Sequence, residues 1–379
     1  MTMLAEEFPL RPGLVYLNHA AVGVWPRRTA EAVKAFAEEN MCQGAADYPQ
    51  WMKVERELRG RLKRLLAAES TDDIALVKNT SEALSLIAYG LDWQPGDNIV
   101  SSDQEFPSNR IVWESLQDKG VELRLANISG DDPEMALLSS CDERTRLLTI
   151  SSVQYGTGLR MELNRLGRFC HDHGILFCVD AIQSLGALQF DVEACHADFV
   201  VADGHKWMLG PEGLAVFYSR PEARGQLKLL QYGWHMVERA GDFDAADWAP
   251  AVAARRFEPG SPNMLGIHAL NASLSLFEEI GMETVEALLL DRTGTLMRWV
   301  EDNPDLELIT PVQSGRYAGI ITFRHCQLDP AGHAGLYRRL MEAGIVCASR
   351  AGGIRLSPHF YTDVNAFIPD WEQLISSSL

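Results

Sequence analysis

Seven short apolar runs between residues 74 and 218 constrain this chain more than any other feature. They are IALVKN (74–79), NIVSS (98–102), VELRLA (121–126), RLLTISSV (146–153), ILFCVD (175–180), DFVVA (198–202) and GLAVFY (213–218). Several are apolar at both alternations, the pattern of strands buried on both faces. Helical patterns separate them: SEALSLIAYGL, SNRIVWESLQDKG and LNRLGRFCHDHG, the last two ending at Gly, a helix stop. Strands and helices in this series predict an α/β domain whose mainly parallel seven-stranded sheet is flanked by helices. A ligand site is then expected at the carboxyl ends of the strands.

The pattern changes after about residue 265. Residues 266–303 read as a long, interrupted helical stretch, followed by YAGIITFRH, AGHAGLYRRLMEAG, IVCAS and GGIRLSPHFY. This is a small α+β unit. The expected division is a large unit over 16–265 and a small C-terminal unit over 266–379 that also takes in 1–15. The helical pattern near residues 26–40 is placed beside the small unit. A chain of 379 residues is too long for one compact core and natural for two.

The net charge, 34 − 52 = −18, argues against nucleic-acid and anionic-membrane partners, though a local pocket can oppose the global sign. No apolar run reaches the roughly 18 residues of a membrane helix. The start, MTMLAEEFPLRPG, has neither the basic nor the apolar segment of a signal peptide. Seven cysteines without a CxxC fit free thiols in a reducing cytoplasm better than a disulfide framework or a structural zinc site, and no metal is expected.

Polar residues cluster where the strands end. Asn79, Thr80 and Ser81 follow the first strand and open a helix. Asp180 closes the fifth, with Gln183 just after it. Lys206 follows the sixth, in ADGHKWMLGPEG, 26 residues beyond Asp180. Free N–H groups and hydroxyls at a helix start suit a phosphate, unless Thr80 or Ser81 simply caps the helix. A carboxylate after a strand would keep a pyridine nitrogen protonated. A lysine desolvated beside Trp207 and Met208 would have a lowered pKa and could form a Schiff base with a carbonyl. One ligand that carries a phosphate, a ring nitrogen and an aldehyde is pyridoxal phosphate.

Four stretches, DAIQSLGALQFDV, ADGHKWMLGPEGLAVFY, RRFEPGSPNMLGIHAL and GGIRLSPHFYTD, together resemble the landmarks of the class V aminotransferases. This is the fold-type I pyridoxal-phosphate group that includes cysteine desulfurases, isopenicillin N epimerase and kynureninase. The resemblance runs from VYLNHAA to HFY, nearly the whole chain. It implies Lys206 as the Schiff-base lysine and proton shuttle, Asp180 at the pyridine nitrogen and Gln183 near the ring hydroxyl. It implies Thr80 and Ser81 on the phosphate, assisted by His205, with Phe106 stacked on the ring. Ser261, in GSPN, would reach the phosphate of the neighbouring subunit, which implies a homodimer with shared sites. Arg355 would clamp the carboxylate of an amino-acid substrate, with Asn18 and His19 lining that side. Trp234, His235, Tyr155, Arg350 and His359 are further candidates for the pocket.

Two positions depart from the family pattern. Asp203 stands where relatives often have a phosphate-donating Ser or Thr, and a carboxylate cannot donate. It would instead orient His205 or Lys206, or meet the phosphate through a water. Desulfurases carry a nucleophilic cysteine on a mobile loop shortly before the Arg355 position. Here that segment is the short IVCASRAGGIR, and Cys347 reads as a core thiol. The resemblance therefore implies a cytoplasmic enzyme acting on an α-amino acid, an aminotransferase first. A kynureninase-like or cysteine/selenocysteine lyase and an amino-acid epimerase are the alternatives. A non-catalytic scaffold ranks last, because Lys206 and Asp180 are both kept.

Overall fold

A computed structural model describes residues 2–366 and Ile368. Met1, Phe367 and the 369–379 portion of the expected small unit lie outside the described residues. In chain order the strands are β1 (Val15–Tyr16), β2 (Ile74–Val77), β3 (Asn98–Ser102), β4 (Glu122–Ala126), β5 (Thr145–Ser151), β6 (Leu176–Asp180), β7 (Phe199–Asp203), β8 (Ala215–Ser219), β9 (Leu306–Leu308), β10 (Ile321–His325), β11 (Ile345–Val346), β12 (Ala348–Arg350) and β13 (Gly353–Leu356). The helices are α1 (Thr2–Glu7), α2 (Arg27–Gln43), α3 (Tyr48–Leu66), α4 (Thr80–Gly90), α5 (Ser108–Glu114), α6 (Pro133–Leu138), α7 (Leu163–His173), α8 (Pro221–Arg224), α9 (Met264–Ile280), α10 (Met282–Glu301) and α11 (Pro330–Glu342). None of the helices among the described residues is long and apolar enough to cross a membrane.

All seven apolar runs become strands of one sheet, ordered β2-β8-β7-β6-β5-β3-β4. Pairing is parallel except that β8 runs against both of its neighbours. The doubly apolar pattern has the expected cause. Val100, Leu148, Val179 and Val200 face one core, with Leu58, Leu62, Leu166 and Ile267 from the helices. Ile99, Leu147, Cys178 and Val201 face the other, with Leu84, Ile87 and Trp113. Helices thus cover both faces, as a parallel sheet requires.

Because β2 is antiparallel to β8 and β8 to β7, strands β2, β3, β5, β6 and β7 all end at the same edge. The chain leaves β3 for β4 on one side and returns to β5 on the other. The loops after β3 and β5 therefore diverge, and this switch point opens a crevice. The long helical stretch divides at Gly281, whose φ of 82° separates α9 from α10. α9 lies against α2 and α3, with Phe36 4.7 Å from the His268 ring. A second, antiparallel sheet, β12-β13-β10-β9, has its own core of Leu296, Val300, Phe323, Leu336 and Ile354, which Leu17 joins.

Trp207 ties these parts together. Its indole is fully buried and donates to Gln183 Oε1 at 2.7 Å, while its carbonyl accepts from His359 Nε2 at 3.0 Å. Close backbone approach is built into its surroundings. A Cβ on Gly319 would come 2.4 Å from the indole, and a Cβ on Gly186, which sits at φ 89°, 2.4 Å from the Trp207 carbonyl oxygen. Gly186→Ala is expected to lower stability by about 1–3 kcal/mol from overlap alone, with more from the positive φ. Urea unfolding at neutral pH checks this; an unchanged midpoint would mean that the loop yields.

Candidate active site

The carboxyl edge of the large sheet encloses a cavity of about 330 Å³. Ala20, Ala21, Asn79, Thr80, Ser81, Phe106, Ser108, Tyr155, Asp180, Ile182, Gln183, Asp203, His205, Lys206, Arg350 and Arg355 line it. β2, β3, β5, β6 and β7 each contribute at or just after their last residue, while the edge strand β4 contributes nothing. The small antiparallel sheet closes the cavity with Arg350 from β12 and Arg355 from β13.

Lys206 is 8% exposed, and its Nζ sits 5.5 Å from the centre of the Phe106 ring. Burial lowers its pKa, Asp180 partly offsets that, and Arg355 pushes it further down. The flanking glycines have a packing role. Glycine at 204 and 210 lets the loop lie against Leu214 and Leu270, where a Cβ at 210 would overlap the Leu270 side chain. Asp180, 2% exposed, accepts one hydrogen bond, from the Ile182 N–H at 3.0 Å. Burial drives its carboxyl well above the usual carboxylate range, which the Ile182 hydrogen bond opposes and Glu105 reinforces.

At the start of α4 the capping residue is Asn79, whose Oδ1 accepts from the Glu82 N–H at 2.9 Å. Thr80 and Ser81 are therefore not the caps. Ser81 donates to Ser108 Oγ at 2.9 Å, while the buried Thr80 Oγ1 has no partner among the described residues. His205 Nδ1 lies 3.0 Å from Asp203 Oδ1, too poorly aligned for a hydrogen bond. Asp203 thus lies beside His205 without a hydrogen bond to it.

Arg355 is 2% exposed, donates to the Tyr155 carbonyl at 2.8 Å and to Asn18 Oδ1 at 3.3 Å, and has an unpartnered Nε. Burial, and then the neighbouring Arg350, lower its pKa to about 10. Asn18 reaches the site through this contact. The structure places several other residues elsewhere. His19 lies in the core behind the cavity, held by the Ser357 carbonyl at 2.8 Å and the Tyr361 hydroxyl at 2.7 Å. His359 is buried against the Trp207 carbonyl. His235 packs beside Glu258, and the half-exposed Trp234 lies against it. Ser261 lines a separate groove with Lys78, Glu82 and Asn263. Gln183 lines the cavity, but its amide is engaged by the Ala20 carbonyl and Trp207.

Cys347 sits in the small-sheet core, where burial pushes its thiol up to about 12. After it the chain makes a two-residue hairpin at Ala351 and Gly352, both at positive φ, the turn that joins tightly paired strands. No cysteine is among the residues that line the cavity.

Sequence spacing gave no sign of Glu105. Its buried carboxylate accepts from the Ser151 N–H and Oγ, Ser102 Oγ, Asn109 Nδ2 and Gln154 Nε2 at 2.5–3.0 Å. It thereby fixes the loop that carries Phe106 to the ends of β3 and β5. Its partners come from β3, β5, α5 and the loop after β5, which no sequence spacing brings together.

The donor set fits pyridoxal phosphate. An orphaned hydroxyl at a helix start, a buried carboxylate, a buried amine beneath an aromatic ring and an unpaired guanidinium match its phosphate, its ring nitrogen, its aldehyde and a substrate carboxylate. Without the cofactor, the raised Asp180 pKa makes folding less favourable as pH rises from about 4 toward neutral, because the folded state holds a proton that the unfolded state releases. In the cofactor-free protein, Asp180→Asn should remove that part of the slope and raise stability at pH 7.5 relative to wild type, with little difference at acid pH. Urea unfolding at the two pH values tests the sign.

Comparison with known proteins agrees with this geometry. Residues 15–365 match the family described as Aminotransferase class-V. A probable cysteine desulfurase of Methanothermobacter thermautotrophicus is 30% identical, over 94% of this chain and 92% of its own. The uncharacterized aminotransferase YcbU of Bacillus subtilis is 29% identical, over 80% and 78%. Among solved structures, the cystine C–S lyase C-DES, with glycine linked to its pyridoxal-phosphate cofactor, superposes with a TM-score of 0.88 at 23% identity, covering 97% of this chain and 98% of its own. The chain belongs to the class V aminotransferases, a family of pyridoxal-phosphate enzymes with the fold-type I architecture.

Proposed function

We propose that this protein is an aminotransferase acting on an α-amino acid, with Lys206 as the residue that holds the cofactor and carries the proton. The carrying observation is the buried Lys206 amine in a cavity whose other walls are Asp180 and the uncompensated Arg355. Pyridoxal phosphate, when bound, supplies a conjugated ring that spreads negative charge developing at the substrate α-carbon. The chain's residues supply the rest. Thr80, Ser81 and His205 would hold the cofactor's phosphate, and Asp180 would keep a proton at its ring nitrogen. Phe106 excludes water from one face. Arg355, steadied by Asn18 and the Tyr155 carbonyl, orients the substrate carboxylate. Lys206 Nζ, with its lowered pKa, takes and returns a proton. Gln183 serves by fixing Trp207, and so Lys206.

A second reading, a lyase that cleaves a carbon–sulfur bond, draws on the relative named as a probable cysteine desulfurase. The buried Cys347 and the two-residue hairpin weigh against a protein cysteine that receives sulfur, which leaves elimination without such a residue. Ser261 lies outside its own chain's cavity, which supports a homodimer in which it serves the partner's site. The separate core of β9, β10, β12 and β13 supports two units, with the boundary after α9 rather than at about residue 265, because Ile267, Leu270 and Leu274 of α9 lie in the large core; seven free cysteines support a cytoplasmic setting.

Borohydride reduction of the holoenzyme followed by peptide mapping should place the cofactor adduct on Lys206, and Lys206→Ala should show none; an adduct elsewhere removes Lys206 from its role. Arg355→Ala should raise KM for amino acids roughly 10- to 100-fold, as loss of a charged hydrogen-bond pair does. A panel of amino acids separates the two readings: keto-acid formation supports transamination, and sulfide release supports the lyase.

A further inference from the structure

Arg350 and Arg355 enter the same cavity from two adjacent antiparallel strands. Arg350 pairs with Gly353 and Arg355 with Ala348, so the two arginines occupy diagonal positions on one face of the hairpin. Diagonal neighbours of this kind lie about 7–8 Å apart. The tight turn at Ala351 and Gly352 fixes that register. Neither guanidinium has a carboxylate within ion-pair distance among the described residues. Arg355 holds only neutral oxygens, those of Tyr155 and Asn18, and Arg350 only the carbonyl of Ser349, at 2.7 Å. The other buried arginine among the described residues, Arg224, meets Asp73 at 3.0 Å, whereas the buried Arg355 meets no acid.

We propose that the substrate carries two anionic groups, its α-carboxylate held by Arg355 and a second carboxylate or equivalent acid on a short side chain held by Arg350. This rests on the reading of the cavity as an amino-acid site. Two unpaired guanidiniums at one cavity wall are stabilised when both meet an anion, and planar guanidinium suits a carboxylate. The phosphate of the cofactor is assigned to Thr80, Ser81 and His205, which line the same cavity and leave both guanidiniums for the substrate. Arg355 is buried and fixed, which suits the invariant carboxylate of any amino acid. Arg350 is exposed at the rim, which suits the part of the substrate that varies. A cavity of about 330 Å³ shared with the cofactor favours a short side chain such as that of aspartate, glutamate or cysteine sulfinate.

The test is binding to the holoenzyme, read from the change in the visible absorbance of the bound cofactor during titration. L-aspartate, L-glutamate and L-cysteine sulfinate are compared with L-alanine and L-cysteine, in wild type, Arg350→Gln and Arg350→Lys. The expected result is tighter binding of the acidic amino acids, weakened roughly 10- to 100-fold by Arg350→Gln and partly restored by Arg350→Lys, with alanine and cysteine little changed. If Arg350→Gln weakens alanine as much as aspartate, Arg350 shares the α-carboxylate and the proposal falls while the amino-acid reading stands. If alanine or cysteine binds wild type as tightly as the acidic amino acids, the second anion is not recognised and the proposal falls. If no amino acid perturbs the spectrum, both readings fall together.

Discussion

The buried indole of Trp207 is the contact on which the site depends. A lysine side chain placed after a strand would ordinarily extend into water. Here the next residue is locked between Gln183 of the large sheet's edge, Gly319 beside the small sheet and His359 near the chain's end. Its carbonyl and its ring are both held, so the loop cannot turn Lys206 outward without emptying a core that also contains Ala20, Val153, Leu289 and Ile320. The glycines around it allow this approach. The Gly23 N–H donates to the His205 carbonyl at 2.6 Å and Trp25 Nε1 to the Gly210 carbonyl at 2.9 Å, which brings the N-terminal segment to the same loop.

This anchoring lets the protein hold charges where water would otherwise be needed. Lys206 and Asp180 share a cavity with two arginines, and the Asp180 carboxyl has one hydrogen bond where an ionised group in water has several. The resulting arrangement is positive at the small-sheet wall and at the helix start, inside a chain of net charge −18. A phosphate and one or more carboxylates complete the balance. Glu105 shows the opposite treatment: its carboxylate is satisfied by five donors and serves as a fixed strut between β3, β5 and α5. Two buried acids in one neighbourhood thus differ in what their partners leave over for a ligand.

Much of this was legible in the chain. Strands buried on both faces leave an unmistakable apolar record, and six of the seven were readable for that reason, the edge strand β4 being largely exposed. Asp180, Thr80 and Lys206 were readable because a parallel sheet places the residues after its strands on one edge. Asn18 and His19 show where that logic ends. They are adjacent in sequence, yet Asn18 meets Arg355 while His19 faces Ser357 and Tyr361 in the core. Neighbouring side chains of an extended segment point to opposite sides, and nothing local says which side is wet. Asn79 took the capping role that Thr80 and Ser81 were also suited to, and the competition was decided by backbone geometry.

The sequence alone determined the architecture and the chemical type of the site, because both follow from local periodicity and from residues tied to strand ends. Tertiary structure decided the rest. It made Glu105 a strut, put Ser261 in a different groove and set Arg350 beside Arg355. Each of these depends on which distant segments meet, and a contact between distant segments has no period or spacing by which one chain can announce it.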